Sequence, residues 1–348
     1  MPNPSAILMK HDDAVWAAAF SPDGQTIATG TGNEEVGRVQ LWTNSGKPIS
    51  KPGVHGRLVT QIKFAPDGSG FISCDKDGTA QLWSMDGQRF GEPLRHRKEV
   101  WGAAFHPQRP IVVTASEDRT LRSWNYPSGE PAGEPVKLPG GGLGPCFNRP
   151  GTQLAVLTGG KQVLVVNVGS LREPLVLNHP AGVNAIRWSP DGKILATCGK
   201  DRRLRLWNGK TGEILDDSFQ AEATFLTTAE FMPDGKSLIL GSHFFTSKDK
   251  YVEVIRWDIK KRRVVVRERY DNELWYVSSV SPGGRHFLSG AWAHTTRLML
   301  TSNGQTVATF PPQSNPAKSV KGSAWSPDGS QILIWGADGF AQLWNTPA

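Results

Sequence analysis

At 348 residues, 38% hydrophobic and 20% charged, the chain is long enough for one large globular domain or two ordinary ones. No apolar run approaches the ~20 residues a membrane helix needs, and the apolar stretch within Met1–Lys10 is too short for a secretory leader. A net charge of +7 tolerates an acidic partner without demanding nucleic acid, and three well-separated cysteines, Cys74, Cys146 and Cys198, suggest reduced thiols and a cytoplasmic setting.

The punctuation is dense: 38 Gly and 25 Pro argue for many short strands joined by tight turns. From the N-terminus, residues 15–20, 25–29 and 39–42 are strand-length segments bounded by turns. The turn Ser21-Pro22-Asp23-Gly24 returns as Ala65-Pro66-Asp67-Gly68, Ser189-Pro190-Asp191-Gly192, Met232-Pro233-Asp234-Gly235 and Ser326-Pro327-Asp328-Gly329. Weaker copies stand at Pro107, Pro150 and Pro282, so eight prolines are spaced 44, 41, 43, 40, 43, 49 and 45 apart. Trp83, Trp124, Trp207 and Trp344 each follow their proline by 17 residues, while Trp42 follows by 20 and Trp257 by 24. The last two spacings imply insertions of three and seven residues, expected as loops over 31–37 and 243–250. In the seventh unit Met299 stands for the Trp, and in the fourth Val165-Val166-Asn167 occupies its place.

A third marker runs in the same phase. His55, His96 and His179 are each followed 22 residues later by Asp77, Asp118 and Asp201, and six further on by Trp83, Trp124 and Trp207. With this, the units resemble those of the WD-repeat family along the whole chain. The phrases Gly91-Glu-Pro-Leu94 and Gly133-Glu-Pro-Val136 are similar to bacterial members, where such arrays accompany signalling domains. The resemblance implies an all-β fold, a single closed β-propeller over 1–348, with eight blades by the proline count and seven as the alternative. The repeats fall at approximately 11–42, 55–83, 96–124, 138–168, 179–207, 221–257, 270–300 and 317–344. It also implies that residues 5–10 form the outer strand of the last blade and close the ring. Small four-stranded sheets cannot bury both faces alone, and stacking buries them.

The His, Asp and Trp sets invite a catalytic reading, with Thr114 or Ser116 as nucleophile. Threefold repetition argues instead for structure: the resemblance implies a buried hydrogen-bond chain from His through Ser or Thr and Asp to the indole N–H. Asp75-Lys76-Asp77-Gly78 lacks the further acidic ligands of a calcium loop and reads as a turn. His106, His243, His286 and His294 show no metal-ligand spacing, so no metal, cofactor or catalytic residue is expected. The basic run Lys260-Lys261-Arg262-Arg263, with Arg267 and Arg269, reads as a charged hairpin guarding an edge strand.

Of 13 Trp, six end repeats, Trp188 and Trp325 replace the Phe that ends first strands elsewhere, and Trp335 aligns with Cys74, Ala115 and Cys198. Trp16, Trp101, Trp275 and Trp292 keep no repeat-wide role. Four residues before the end of each first strand stand Trp16, Thr60, Trp101, Leu143, Asn184, Thr227, Tyr276 and Lys321. The resemblance places this position at the rim of the narrow face, beside Lys76, Glu117, Lys200 and Trp292. The expected binding surface is therefore Trp16, Thr60, Lys76, Trp101, Glu117, Asn184, Lys200, Tyr276, Trp292 and Lys321, aromatic anchors interspersed with lysines. The expected function is a non-catalytic scaffold, monomeric by itself, that binds a protein or peptide bearing acidic or phosphorylated groups, with neither membrane nor nucleic acid as partner. Two alternatives stand beside it: an enzyme using the channel as a substrate pocket, and nucleic-acid binding through the basic hairpin.

Overall fold

The computed structural model describes residues 6–168, 170–246, 249–271, 275–291, 295–311 and 320–347, with the backbone alone at 170–173, 275–278 and 291. Among them the regular elements are all strands, arranged in eight four-stranded sheets, seven of which take their strands in chain order. The first sheet is Val15–Phe20, Thr26–Gly32, Gly37–Thr43 and Gly53–His55. The second begins at Val59–Phe64, the third at Val100–Phe105, the fourth at Leu143–Phe147, the fifth at Val183–Trp188, the sixth at Phe225–Phe231 and the seventh at Trp275–Val280. The eighth sheet differs, because Ile7–Lys10 pairs antiparallel with Phe340–Asn345 and completes the set Val320–Trp325, Gln331–Gly336, Phe340–Asn345. The two ends of the described chain thus share one sheet.

The recurring turn explains the regularity. Ser21 Oγ donates to Asp23 Oδ1 at 2.5 Å, that carboxylate accepts the Gln25 N–H at 3.0 Å, and Gly24 takes φ 70°, which disfavours a side chain. Ser189 and Ser326 repeat the arrangement with Asp191 and Asp328. Exposed Asp328 is held at a pKa of about 2 by hydrogen bonds from Ser326 and Ser330.

Contacts group the chain into two compact units, residues 1–147 with 321–346 and 348, and residues 148–320 with 347. Within the first unit, each core cluster is assembled from two neighbouring sheets. Ala28, Val39 and Leu41 of the first sheet meet Val59, Ile62, Phe71 and Trp83 of the second. Fully buried Met9 joins Val15 and Ile27 to Leu333, Ala341 and Leu343. In the second unit Ala196, Leu204 and Leu206 pack with Leu226, Leu238, Ile255 and Trp257. In these clusters the core is shared between neighbouring sheets, so each of those sheets depends on the next.

Two expected loops are hairpin extensions instead. The ladder continues to Gly32↔Gly37 in the first sheet, leaving a turn at residues 33–36. In the sixth sheet Ser237–Phe245 and Lys250–Asp258 stay paired to Phe245↔Lys250, because Phe244 stacks on Tyr251 at 4.5 Å and the Arg269 guanidinium covers that ring at 3.7 Å. Trp257 sits opposite Leu238, and by the same register Met299 and Val166 take the Trp position in the seventh and fourth sheets.

Candidate functional site

The His, hydroxyl and Trp sets form buried networks. In the third sheet His96 Nε2 lies 2.7 Å from Thr114 Oγ1, Trp124 Nε1 donates to the same hydroxyl at 2.8 Å, and His96 Nδ1 lies 3.0 Å from Asp118. Burial opposes ionisation of Asp118, yet hydrogen bonds from the Arg97 N–H, Thr120 and His96 outweigh it and hold the carboxyl at about 2. Burial pushes the His96 pKa down, against the pull of Asp118.

The second and fifth networks correct the expected carboxylates. His55 Nδ1 pairs with Asp75 at 2.8 Å, not with Asp77, because Asp75 ends its strand inside the sheet while Asp77 lies exposed in the turn. His55 Nε2 meets Ser73 at 2.6 Å and Trp83 Nε1 donates to Ser73 at 2.7 Å. In the fifth sheet His179 and Trp207 share Thr197 at 2.8 Å each, but Asp201 pairs with Arg205 at 2.5 Å and His179 Nδ1 turns to the Leu177 carbonyl. The buried guanidinium outcompetes the imidazole for the carboxylate. A fourth member escaped the spacing because of the three-residue insertion: His11 lies edge-on to Trp42 at 5.3 Å, and Trp42 Nε1 donates to Thr29 at 2.8 Å. Burial lowers the His11 pKa to about 4, and its Nε2 has no hydrogen-bond partner among the described residues.

Ser73, His55 and Asp75 have the connectivity of a hydrolytic triad, yet Ser73 and Asp75 are fully buried and the hydroxyl is already engaged by an indole. A nucleophile needs access to its substrate. Asp75 also accepts from the Thr79 hydroxyl and from the Asp77 and Thr79 N–H groups. Among the described residues no group of three or more His, Cys, Asp or Glu is placed to hold a metal, and no helix is long and apolar enough to cross a membrane.

The position four residues before each first-strand end acquires a physical meaning. In six sheets the ladder skips one residue there, and the skipped residues are Trp16, Thr60, Trp101, Asn184, Thr227 and Tyr276. Such a bulge re-aims its side chain out of the pleat. The polar members tie backbone together: Thr60 donates to Val100 O at 2.5 Å and Asn184 to Leu226 O at 2.7 Å, each reaching the next first strand, while Thr227 donates to Gly241 O. The side chain of Tyr276 and the whole of Trp292 lie outside the described residues. Lys200 is exposed, its stem packed over Gly182, and exposed Glu117 lies against Gly141.

The aromatic members in the first unit behave differently. Half-buried Trp101 has no hydrogen-bond partner among the described residues. Half-buried Trp16 donates to Gly32 O at 3.0 Å and carries the Lys321 ammonium 4.4 Å above its ring. Partial burial pushes the Lys321 pKa down, and no carboxylate reaches it among the described residues. Below them a cavity of about 510 Å³ runs along the first strands, walled by Trp16, Phe20, Thr60, Phe64, Trp325 and Trp335. Lys76 is not free: Glu34, in the inserted turn, pairs with it at 2.8 Å and with Arg57 at 3.8 Å.

Three of the six basic side chains of this hairpin are matched by acids. Arg262 faces Asp216 at 3.7 Å, Arg267 faces Glu222 and Glu253 at 3.7 and 3.9 Å, and Arg269 pairs with Asp271 at 2.7 Å.

The chain is similar to known proteins in sequence pattern and in fold. The family pattern described as WD domain, G-beta repeat matches residues 2–36, 46–84, 91–125 and 172–208. The chain is 26% identical over 170 residues to meiotic recombination protein rec14 of Schizosaccharomyces pombe, covering 49% of this chain and 53% of that one. It is 45% identical over 53 residues to protein transport protein SEC31 of Phaeosphaeria nodorum, covering 15% of this chain and 4% of that one. The matches thus span about half of the first relative and a small part of the second. Among solved structures, the C-terminal WD40 domain of Sif2 superposes with a TM-score of 0.82 at 16% identity, covering 99% of each chain. The chain carries WD40 repeats at four places, and its fold is an eight-bladed β-propeller of the WD40 type.

Proposed function

We propose that this chain is a non-catalytic recognition module that holds a protein or peptide partner on the surface around Trp16, Trp101 and Lys321. The observation that carries the reading is the Lys321 ammonium seated on the Trp16 ring, partly dehydrated and without a carboxylate among the described residues. A half-buried cation beside aromatic rings is predisposed to receive an anionic side chain, because part of the ammonium's hydration is already lost and less desolvation remains to offset the charge-assisted hydrogen bond. The bulges support the same reading. Their polar members are spent on backbone ties, whereas Trp101 is turned out of the ladder with nothing to bond. Relatives named as a recombination protein and a transport protein fit a scaffold of protein interactions.

The test is affinity capture from cell extract followed by mass spectrometry, with the wild type beside Trp16→Ala, Trp101→Ala and Lys321→Ala. A protein retained by the wild type should be lost from the three variants while their melting points stay within a few degrees. Capture that survives in Trp16→Ala, or that falls only in step with stability, contradicts the reading.

A further inference from the structure

Resting on that reading, we infer that the anionic group recognised on this surface is a phosphoryl group borne by the partner, and that Glu34 is a resident carboxylate that turns away simple acids. The insertion that lengthens the first sheet's second hairpin has a built geometry. Asn33 Oδ1 accepts the Glu35 and Val36 N–H groups at 2.8 and 3.1 Å, and Asn33 O accepts from Leu58 at 2.9 Å. Gly32 takes φ 137°, and a side chain on it would strike the Val36 carbonyl. The turn is also joined to the aromatic site, since Gly32 O is the acceptor of the Trp16 indole. Fixed in this way, the turn presents Glu34 to Lys76 at 2.8 Å and to Arg57 at 3.8 Å, from one sheet to the next.

Lys76 and Arg57 are a cationic pair that already holds an anion. A carboxylate arriving on another chain replaces like with like, and it competes against a group whose effective concentration is set by a short tether. A phosphoryl group brings close to two charges and three acceptor oxygens, enough to engage the ammonium and the guanidinium fork together. Glu34 is itself exposed, so when displaced it regains its hydration, and the net cost is the two ion pairs it gives up, which a carboxylate only replaces and a phosphoryl group exceeds. The resident acid therefore sets a threshold that a phosphoryl group passes and a carboxylate does not.

The experiment uses three probes at low salt: a fluorescent Gly-Gly-phosphoSer-Gly-Gly peptide, its Glu counterpart, and inorganic phosphate as competitor. Anisotropy titrations of the wild type should show the phosphopeptide binding at least about tenfold tighter than the Glu peptide. Glu34→Gln should bring the Glu peptide into range and tighten the phosphopeptide about two- to fivefold, the scale of one exposed ion pair. Lys76→Ala should weaken the phosphopeptide, and inorganic phosphate should compete only at concentrations above those of the phosphopeptide. Equal binding of both peptides by the wild type, or no change on Glu34→Gln, overturns the inference. Stronger competition by inorganic phosphate assigns the site to the free ion and overturns the partner-borne source. Loss of capture in Trp16→Ala with peptide preference unmoved by Glu34→Gln sinks this inference alone. Normal capture by Trp16→Ala sinks the recognition reading whatever the peptides do.

Discussion

The third and sixth sheets keep the same tryptophan and treat it in opposite ways. Trp124 donates to Thr114, which also meets His96. Trp257 has Leu240 at the hydroxyl position and Phe219 edge-on at 4.9 Å, and its indole N–H has no partner among the described residues. The fourth sheet goes further, with buried Leu138, Val156 and Val166 at the His, hydroxyl and Trp positions. What a blade cannot lose is apolar volume at this place. The hydrogen-bond chain is dispensable when its members leave together, because a network costs most when half dismantled.

Five outcomes break or sharpen that comparison. Removing residues 1–10 strips a whole strand and the fully buried Met9 from the eighth sheet, so the melting temperature should fall further than for any point variant discussed. Trp124→Ala removes the ring and orphans Thr114, and urea unfolding should show a loss of about 3–5 kcal/mol.

Acid should act next. Folded His11 stays neutral down to about pH 4, whereas an unfolded His protonates near its ordinary value of 6.5. The unfolded chain therefore binds more protons in that window, and stability falls as the pH drops from 6.5 toward 4, by on the order of 3 kcal/mol for this group. His96 and His179, also lowered by burial, add in the same direction. Asp118 contributes stability that is complete above 3.8 and lost as pH falls toward about 2. His11→Leu should flatten the slope between pH 7 and 4 in denaturation curves and leave stability at pH 7.5 nearly unchanged.

The smallest effects are the most instructive. Thr114→Val should cost about 2 kcal/mol by orphaning His96 and Trp124. Leu240→Thr, which offers Trp257 the missing partner, should shift stability by less than about 1 kcal/mol. A large gain there would mean that the hydrogen bond, not the packing, governs these blades.

Much of this was legible in the sequence, for physical reasons. The proline-marked turns and the Trp spacing are local, and they located all eight sheets. What failed was competition between side chains. Asp75 and Asp77 stand two residues apart, and only the strand's end decides which reaches His55. Arg205 takes Asp201 from His179, a rivalry that no spacing records. Glu34 and Lys76 are 42 residues apart, Thr60 and Val100 are 40 apart, and Asn184 and Leu226 are 42 apart. Each separation equals one repeat, so contacts between sheets are visible only once the stacking is known. The rim position was identified by counting, but its bulge, which divides backbone ties from outward-turned rings, required the ladder register.

The most direct test of the central claim pairs two residues at equivalent bulge positions, Thr60→Val and Trp16→Ala. Partner capture and melting temperature are measured on both. The account predicts that Thr60→Val loses stability by about 1 kcal/mol and captures normally, because its hydroxyl only ties Val100. Trp16→Ala, which gives up its own indole bond to Gly32 O, should lose a similar about 1 kcal/mol and yet capture poorly, far out of proportion to that loss. If both variants lose binding only in proportion to stability, the rings plug the fold and recognise nothing.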